Sequence, residues 1–258
     1  MYRELPTERV SIVIPVKDDV NYLERCLDAL ALQTYPALEV IVVDNGSSDG
    51  SAALAARRGA RVVREPESGI PAASATGYDA ARGDIIARLD ADSVPGVTWV
   101  ASVCESFARN PGAAAVTGRG VLMDDDGTPH QRSSASYMRA YFWLVGLALG
   151  HPPVFGSTFA MRREAWVRVR NDVCRHDQLM HDDMDLSIHL GTNGQIVVDR
   201  ELMVPISSRP LGFDRSAVKR HARGWYTIVS HWPREFPPVR MLRRSQTQRV
   251  VGQTQLAA

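Results

Sequence analysis

The chain has 258 residues, is 45% hydrophobic and 23% charged, and carries a formal net charge of +1. That balance excludes a disordered chain, a collagen-like repeat and a disulfide scaffold, and it argues against a general nucleic-acid binder. The total is a sum of unlike parts: residues 209–258 hold ten basic residues against the two acids Asp214 and Glu235, a balance of +8, which leaves −7 on residues 1–208.

The first half alternates strand and helix signals. Val10–Val16 is a short β-branched apolar run, and Asn21–Thr34 has helical spacing with Leu23, Leu27 and Leu30 on one face. Glu39–Val43 is a second strand, and Asn45–Gly50 a turn ahead of an Ala-rich helix at Ser51–Arg58. Ala60–Val63 reads as a third strand, Ala72–Ala81 as a helix, Asp84–Leu89 as a fourth strand, and Val97–Arg109 as a helix stopped by Asn110-Pro-Gly. Strands and helices alternating at these lengths imply parallel βαβ units, with ligands beyond the carboxyl ends of the strands. The strand ends, at Pro15–Asp18, Asp44–Gly46, Arg64–Glu67 and Asp90–Ser93, all carry acids, which suggests that a cation mediates anion binding.

The second half is more mixed. Ala113–Met123 reads as a strand pair or one long strand, and Asp124-Asp-Asp-Gly as a solvated hairpin turn with no metal partner nearby. The apolar run Tyr141–Leu149 is far short of the ~20 residues that span a bilayer, so it reads as a core or interfacial helix. Val154–Met161 leads as a strand into a helix at Arg163–Arg170. Asp183–Leu190 is helical, Ile196–Val204 a strand, and Asp214–His231 a helix. Cys26, Cys104 and Cys174 form no CxxC and suit a reduced compartment, and the polar start carries no signal-peptide pattern; a cytoplasmic protein is expected.

The sharpest chemical signal is Arg88-Leu-Asp-Ala-Asp-Ser93. Residues two apart on an extended strand point the same way, so Asp90 and Asp92 converge at its tip, where two carboxylates and phosphate oxygens suit Mg²⁺ or Mn²⁺. Ser11-Ile-Val-Ile-Pro-Val-Lys17, Glu39–Ser51, this DxD and Asp182-Asp-Met-Asp-Leu-Ser187 form an ordered set. In that order and spacing, over residues 10–205, the chain resembles the family 2 glycosyltransferases.

The resemblance implies an α/β chain of the GT-A fold, a mostly parallel sheet flanked by helices. Its transferase domain would span residues 1–205, with a nucleotide-binding half at about 1–95 and an acceptor half at about 96–205; residues 206–258 would be a basic helical extension. It implies that Pro15, Val16 and Asp44 line the nucleotide pocket, that Asp90 meets the ribose or donor sugar directly or through the metal, and that Asp92 is the main ligand of Mn²⁺ or Mg²⁺. The catalytic base falls on Asp183, with Asp182 in place of the usual Glu. Gly156 and Ser157 fall on the acceptor side. The segment Lys219-Arg-His-Ala-Arg-Gly-Trp225 would bring Arg220 and Arg223 to the diphosphate, Trp225 to the acceptor and His221 to the metal. The implied reaction moves a sugar, with inversion, from a nucleotide diphosphate sugar to a hydroxyl of a saccharide or lipid-linked acceptor; nucleic acid is not an expected partner.

The residues also admit plainer readings: Asp44 as an Asx-turn cap, Asp182, Asp183 and Asp185 as partners of a helix N-terminus, His176, His181 and His189 as structural, and Lys219–Trp225 as an amphipathic basic helix with Trp225 in the core. Ser74 and Ala75 stand where many relatives carry Arg-Asn, a loss that Arg64 or Arg88 would compensate. A sugar nucleotidylyltransferase and an inactive sugar-nucleotide binder remain as alternatives. The tail arginines Arg234, Arg240, Arg243, Arg244 and Arg249 would attract anionic lipid at about 1 kcal/mol each, which makes peripheral contact with the cytoplasmic membrane face a further expectation.

Overall fold

The structure, a computed structural model, describes residues 8–124, 128–207 and 215–236, with backbone alone at 215–221 and 233–235. Seven strands form one sheet: β1 (Val10–Val16), β2 (Glu39–Asp44), β3 (Arg61–Arg64), β4 (Ile85–Leu89), β5 (Ala113–Met123), β6 (Thr158–Arg162) and β7 (Gln195–Ser207). Their order across the sheet is β3-β2-β1-β4-β6-β5-β7. The strands β3, β2, β1 and β4 run parallel, and β6 enters antiparallel to both β4 and β5. β5 and β7 pair in parallel, with register shifts between Ala113 and Ala115 and between Thr117 and Arg119. Among the described residues the helices are α1 (Val20–Ala31), α2 (Ser51–Arg57), α3 (Ile70–Ala80), α4 (Trp99–Arg109), α5 (Gln131–Leu149), α6 (Arg163–Val169), α7 (Asp182–Asn193) and α8 (Arg215–Glu235).

Alternation along the strands sorts the core onto two faces. Ile12, Ile14, Val42, Ile85, Ala87 and Leu89 join α1 and α4 on one. Val13, Ile41, Val43 and Ile86 join Ala73 and Tyr78 of α3, Trp166 of α6 and Leu186 of α7 on the other. Both faces being covered explains why β1 is buried along its whole length. The α3 helix lies tight against β1 because residue 77 is glycine: a Cβ there would sit 2.3 Å from Val13 Cγ1.

Several boundaries depart from expectation for identifiable reasons. α3 starts at Ile70 rather than Ala72, because Pro71 occupies the first turn, where its missing N–H costs nothing. α1 stops at Ala31 rather than Thr34: Gln33 and Thr34 leave the helix to bind the carbonyls of Gly96 and Val97. Val154–Phe155 precede β6 as a loop, not as part of it. Residues 125–127 of the expected hairpin lie outside the described residues; beyond them the chain returns as α5, with only an isolated bridge from Met123 to Pro129. α5 begins ten residues before the Tyr141–Leu149 run. It buries Met138 and Leu149 while Trp143, Leu144 and Leu147 stay exposed, so this is not a core helix. No described helix is long and apolar enough to cross a membrane. The three cysteines are free thiols, Cys26 and Cys104 buried and Cys174 partly so.

Candidate functional site

The ends of β1 and β2 meet at a rigid turn. Pro15 and Val16 are buried, and Asp44, also buried, accepts the Ser47 N–H at 3.0 Å, which is the Asx-turn cap anticipated for it. Asp18 takes the left-handed region (φ 53°) and accepts the Ser48 N–H at 2.7 Å. The Asn45 amide donates to the Glu65 and Glu67 carbonyls and accepts from the Gly69 N–H, fastening the β2 end to the loop ahead of α3.

At the end of β4 the centre is Arg88. It shares the sheet face of Ile86, the face covered by α3 and α7, and is only 2% exposed. A buried guanidinium requires partners, and it has them on three elements. It donates to Asp90 Oδ1 at 3.0 Å and to the Tyr78 hydroxyl at 3.4 Å, and it forms a short ion pair with Asp182 Oδ2. Ser74 of α3 donates to the same Asp182 oxygen at 3.0 Å. Ser74 thus serves the same carboxylate that Arg88 holds. Burial pushes the Asp182 carboxyl up, but the Arg88 charge, the His181 ring and the hydrogen bonds from Arg88 and Ser74 outweigh it and hold it below the usual carboxylate range. Ser157 closes the other side by donating to Asp90 Oδ2 at 2.7 Å.

Asp183 enters from the first turn of α7 and is 6% exposed. Its Oδ2 accepts the Gly156 N–H at 3.0 Å, and its Oδ1 forms a short contact with His181 Nδ1. The Gly156 position is small for this reason: a Cβ there would stand 3.0 Å from Asp183 Oδ2 and 3.7 Å from the Arg88 guanidinium carbon. The close approach is to the carboxylate. Burial pulls the His181 ring down, yet the Asp183 charge and its hydrogen bond prevail and raise it above 6.5. No side-chain hydrogen bond caps α7, so the three acids of its first turn are not caps in that sense.

The acids also part company. Asp182 faces Arg88, whereas Asp185 accepts the Cys174 N–H at 2.7 Å and lies beside His189 and His231. From α8, Arg223 donates to the Met180 carbonyl at 2.9 Å and Thr227 accepts the His181 N–H at 2.7 Å. Trp225 is 63% exposed, so it is not in the core. The side chains of Arg220 and His221 lie outside the described residues.

Asp92, half-buried, opens onto a shallow depression that is also lined by Tyr22, Arg25, Asp124 and Ser207. Asp124 pairs with His130 Nε2 at 2.7 Å and lines the same depression as Asp92. Carboxylate and hydroxyl oxygens suit a hard divalent cation such as Mg²⁺ or Mn²⁺. Since Arg88 and Ser157 already occupy both oxygens of Asp90, Asp92 fits the ligand role better than Asp90 does.

Comparison with known proteins gives a consistent picture. The model of the glycosyl transferase family 2 matches residues 11–169, ending before α7. The glycosyltransferase AglE of Haloferax volcanii is 33% identical over 120 residues, 43% of this chain and 36% of that protein, so the match spans well under half of that relative's length. Among solved structures, the mannosyltransferase PcManGT from Pyrobaculum calidifontis, in complex with GDP-Man and Mn²⁺, aligns with a TM-score of 0.64 at 21% identity, over 93% of this chain and 70% of that one. The glucosyl-3-phosphoglycerate synthase from Mycobacterium tuberculosis, in complex with Mn²⁺, uridine diphosphate and glucosyl-3-phosphoglycerate, aligns with a TM-score of 0.60 at 19% identity, over 89% of this chain and 80% of that one. At such identities the likeness is one of fold, a mostly parallel sheet flanked by helices.

Proposed function

The chain belongs to the glycosyl transferase family 2, and from that premise we propose that it transfers a sugar, with inversion, from a nucleotide diphosphate sugar to an acceptor hydroxyl. The observation that carries this reading is the gathering of Asp90, Asp182, Asp183, Gly156 and Ser157 around Arg88, at the carboxyl end of β4. Ligands bind at such strand ends in open α/β sheets. Residues 1–205 form the transferase domain in this reading, and 206–258 an extension from which α8 reaches back to α7.

Pro15, Val16 and Asp44 form the floor and edge of the nucleotide pocket. Asp90 meets the ribose or donor sugar, held at one angle by Arg88 and Ser157. Asp92 holds a Mn²⁺ or Mg²⁺ ion, with Asp124 as a neighbouring donor; when bound, that cation neutralises negative charge on the diphosphate. Asp183 takes the proton of the acceptor hydroxyl as its oxygen attacks the anomeric carbon and the bond from that carbon to the diphosphate oxygen breaks, releasing the nucleoside diphosphate. Its carboxylate is oriented at one oxygen by the Gly156 N–H and at the other by His181. The pair Arg88–Asp182 keeps the floor of the site rigid and nearly neutral. Arg223 and Trp225 border the acceptor side from α8.

The test is donor turnover with a panel of nucleotide sugars and Mn²⁺, with and without saccharide and lipid-linked acceptors. Asp183→Asn should lower transfer by about 10²–10⁴-fold with little change in melting temperature. Full transfer by that variant overturns the assignment of the base. Pyrophosphate release from a nucleoside triphosphate and a sugar phosphate would move the reading to a nucleotidylyltransferase, and donor binding without turnover to an inactive relative.

A peripheral membrane contact is part of the proposal. Arg240, Arg243, Arg244 and Arg249 lie outside the described residues, as does the side chain of Arg234. What supports the contact is α5 and α8: Trp143, Leu144 and Leu147 on one, Trp225, Tyr226 and Val229 on the other, are all exposed. Aromatic and aliphatic side chains of this kind insert at a headgroup boundary.

A further inference from the structure

On the opposite side of α7 from Asp183 lies a second constellation that the transfer reaction does not use. Two residues along a helix is about 200° of rotation, so Asp185 points away from the site that Asp183 faces. Asp185 is 1% exposed. Its Oδ2 is fixed by the Cys174 N–H at 2.7 Å, while its buried Oδ1 has no hydrogen-bond partner. Two imidazoles converge on that oxygen. His189, one turn along α7, brings its Nε2 to 3.4 Å, and His231 of α8 brings its Nε2 to 3.1 Å.

The geometry suits a cation at this point. His231 Nδ1 lies 2.8 Å from the Thr227 carbonyl, which can only accept, so that nitrogen carries the proton. In the neutral ring Nε2 then presents a lone pair toward Asp185 Oδ1. The His189 Nε2 is buried and without a hydrogen bond. The two ring centroids are 5.4 Å apart, so both Nε2 atoms face the same carboxylate oxygen. A single divalent cation between them can be bound by all three atoms at once. The spacing agrees: bonds of about 2.0–2.1 Å in a tetrahedron place ligand atoms about 3.3 Å apart, and the three ligand atoms here lie within 4.8 Å of one another. The backbone bonds to His231 Nδ1 and Asp185 Oδ2 are the outer-shell contacts that orient metal ligands.

We propose that Asp185, His189 and His231 form a second metal site, separate from the one at Asp92, which binds Zn²⁺ and pins α8 to α7. Two imidazoles with one carboxylate is a borderline donor set that suits Zn²⁺, whereas the all-oxygen set near Asp92 suits Mg²⁺ or Mn²⁺. A fourth position is left for water on the partly exposed side of the two rings. By holding α8, the ion keeps Arg223 on the Met180 carbonyl and Thr227 on the His181 N–H, one to two turns nearer the proposed base.

The test uses the full-length protein, stripped with chelator and reloaded with Co²⁺ in place of Zn²⁺. The wild type and Asp92→Asn should both develop the intense visible absorption of tetrahedral cobalt and bind an ion that Zn²⁺ displaces. His189→Ala and His231→Ala should lose that absorption. Should either variant fail to fold, histidine modification of the wild type by diethyl pyrocarbonate, read by mass spectrometry, decides the same question. Zn²⁺ should protect His189 and His231 and leave His176 reactive. No cobalt spectrum in the wild type, an unchanged spectrum in both histidine variants, loss of the spectrum in Asp92→Asn, or unprotected His189 and His231 would overturn the proposal.

Discussion

The two halves of the sheet are built by different rules. From β1 to β4 every strand is parallel, each is followed by a helix, and the register runs unbroken from Ser11 against Glu39 to Val16 against Asp44. From β5 to β7 the pairing is mixed, β6 is inserted antiparallel, and β5 slips register twice against β7. In the proposed reading the regular half supplies strand ends for the nucleotide, and the irregular half supplies Gly156, Ser157 and the α7 acids. Arg88 joins them, being the last charged side chain of the regular half before Asp90 and ion-paired to Asp182 of the irregular one. A repeating βαβ pattern makes a platform; the chemistry is set where an irregular partner is pinned to it.

The largest expected effect comes from cutting that pin. Arg88→Ala leaves Asp182 buried without its cation, a change worth about 3–5 kcal/mol by analogy with broken buried pairs. Chemical denaturation should show the loss, and Asp182→Asn in the same background should recover part of it. Retention of wild-type stability by Arg88→Ala would mean that the halves are held together elsewhere.

Glycine substitutions compare the halves directly. A Cβ at Gly77 would meet the ends of two valines, at 2.3 Å and 2.8 Å. At Gly118, on the slipped stretch of β5, it would meet the Leu202 carbonyl oxygen at 1.8 Å. Side-chain tips yield and backbone does not, so Gly77→Ala should cost about 1–3 kcal/mol and Gly118→Ala should fall at or beyond the top of that range. The reverse order of melting temperatures would show that the irregular half adapts more easily than the regular one.

A smaller effect carries a pH signature. His181 is raised above 6.5 in the folded chain, burial opposing the shift and the Asp183 charge with its hydrogen bond producing it. Its contribution to stability is therefore complete below the unfolded value of 6.5 and is lost as the pH rises through the raised folded value. The melting-temperature gap between wild type and His181→Asn should narrow as the pH rises through that value. A gap that widens toward alkaline pH contradicts the ion pair.

The halves also differ in how far the sequence makes them legible. β1 is legible to the residue, because a strand buried on both faces writes itself as an unbroken apolar run. Asp44, Asp90, Asp92 and Asp183 stand out through an ordered motif set, and the structure places Asp90 and Asp183 around Arg88. Arg88 itself reads in the sequence only as a substitute for a missing cation, since its partner Asp182 is 94 residues away. A charge inside the run Asp84–Leu89 is the one signal that it is buried and paired. His181 pairs with Asp183 only two residues along the chain, a local contact, whereas Asp92 and Asp124 are brought to one depression by the fold, which no local spacing encodes. α5 is half legible. Its polar first turns carry Ser134, whose hydroxyl donates to the His130 carbonyl and accepts the Leu122 N–H, a local bond to β5 rather than a helical pattern.

The smallest effect on stability should come from the outer face of that helix. Trp143 and Leu147 are 63% and 60% exposed, so replacing them with Ser removes little buried surface and should shift unfolding by no more than about 0.5 kcal/mol. If α5 and α8 insert at a membrane boundary, the same double variant should pellet less with vesicles containing anionic lipid, and high salt should weaken the remainder, which the tail arginines supply. Pelleting that neither the substitutions nor high salt reduce would rule out both features as the source of binding. Unchanged pelleting at low salt with full loss at high salt would leave the basic tail as the sole contact and α5 as a face with another use. The outcome matters for the comparison between halves, because α5 belongs to the irregular half. A membrane contact there would place the acceptor side of the sheet, and not the nucleotide side, against the surface from which a lipid-linked acceptor comes.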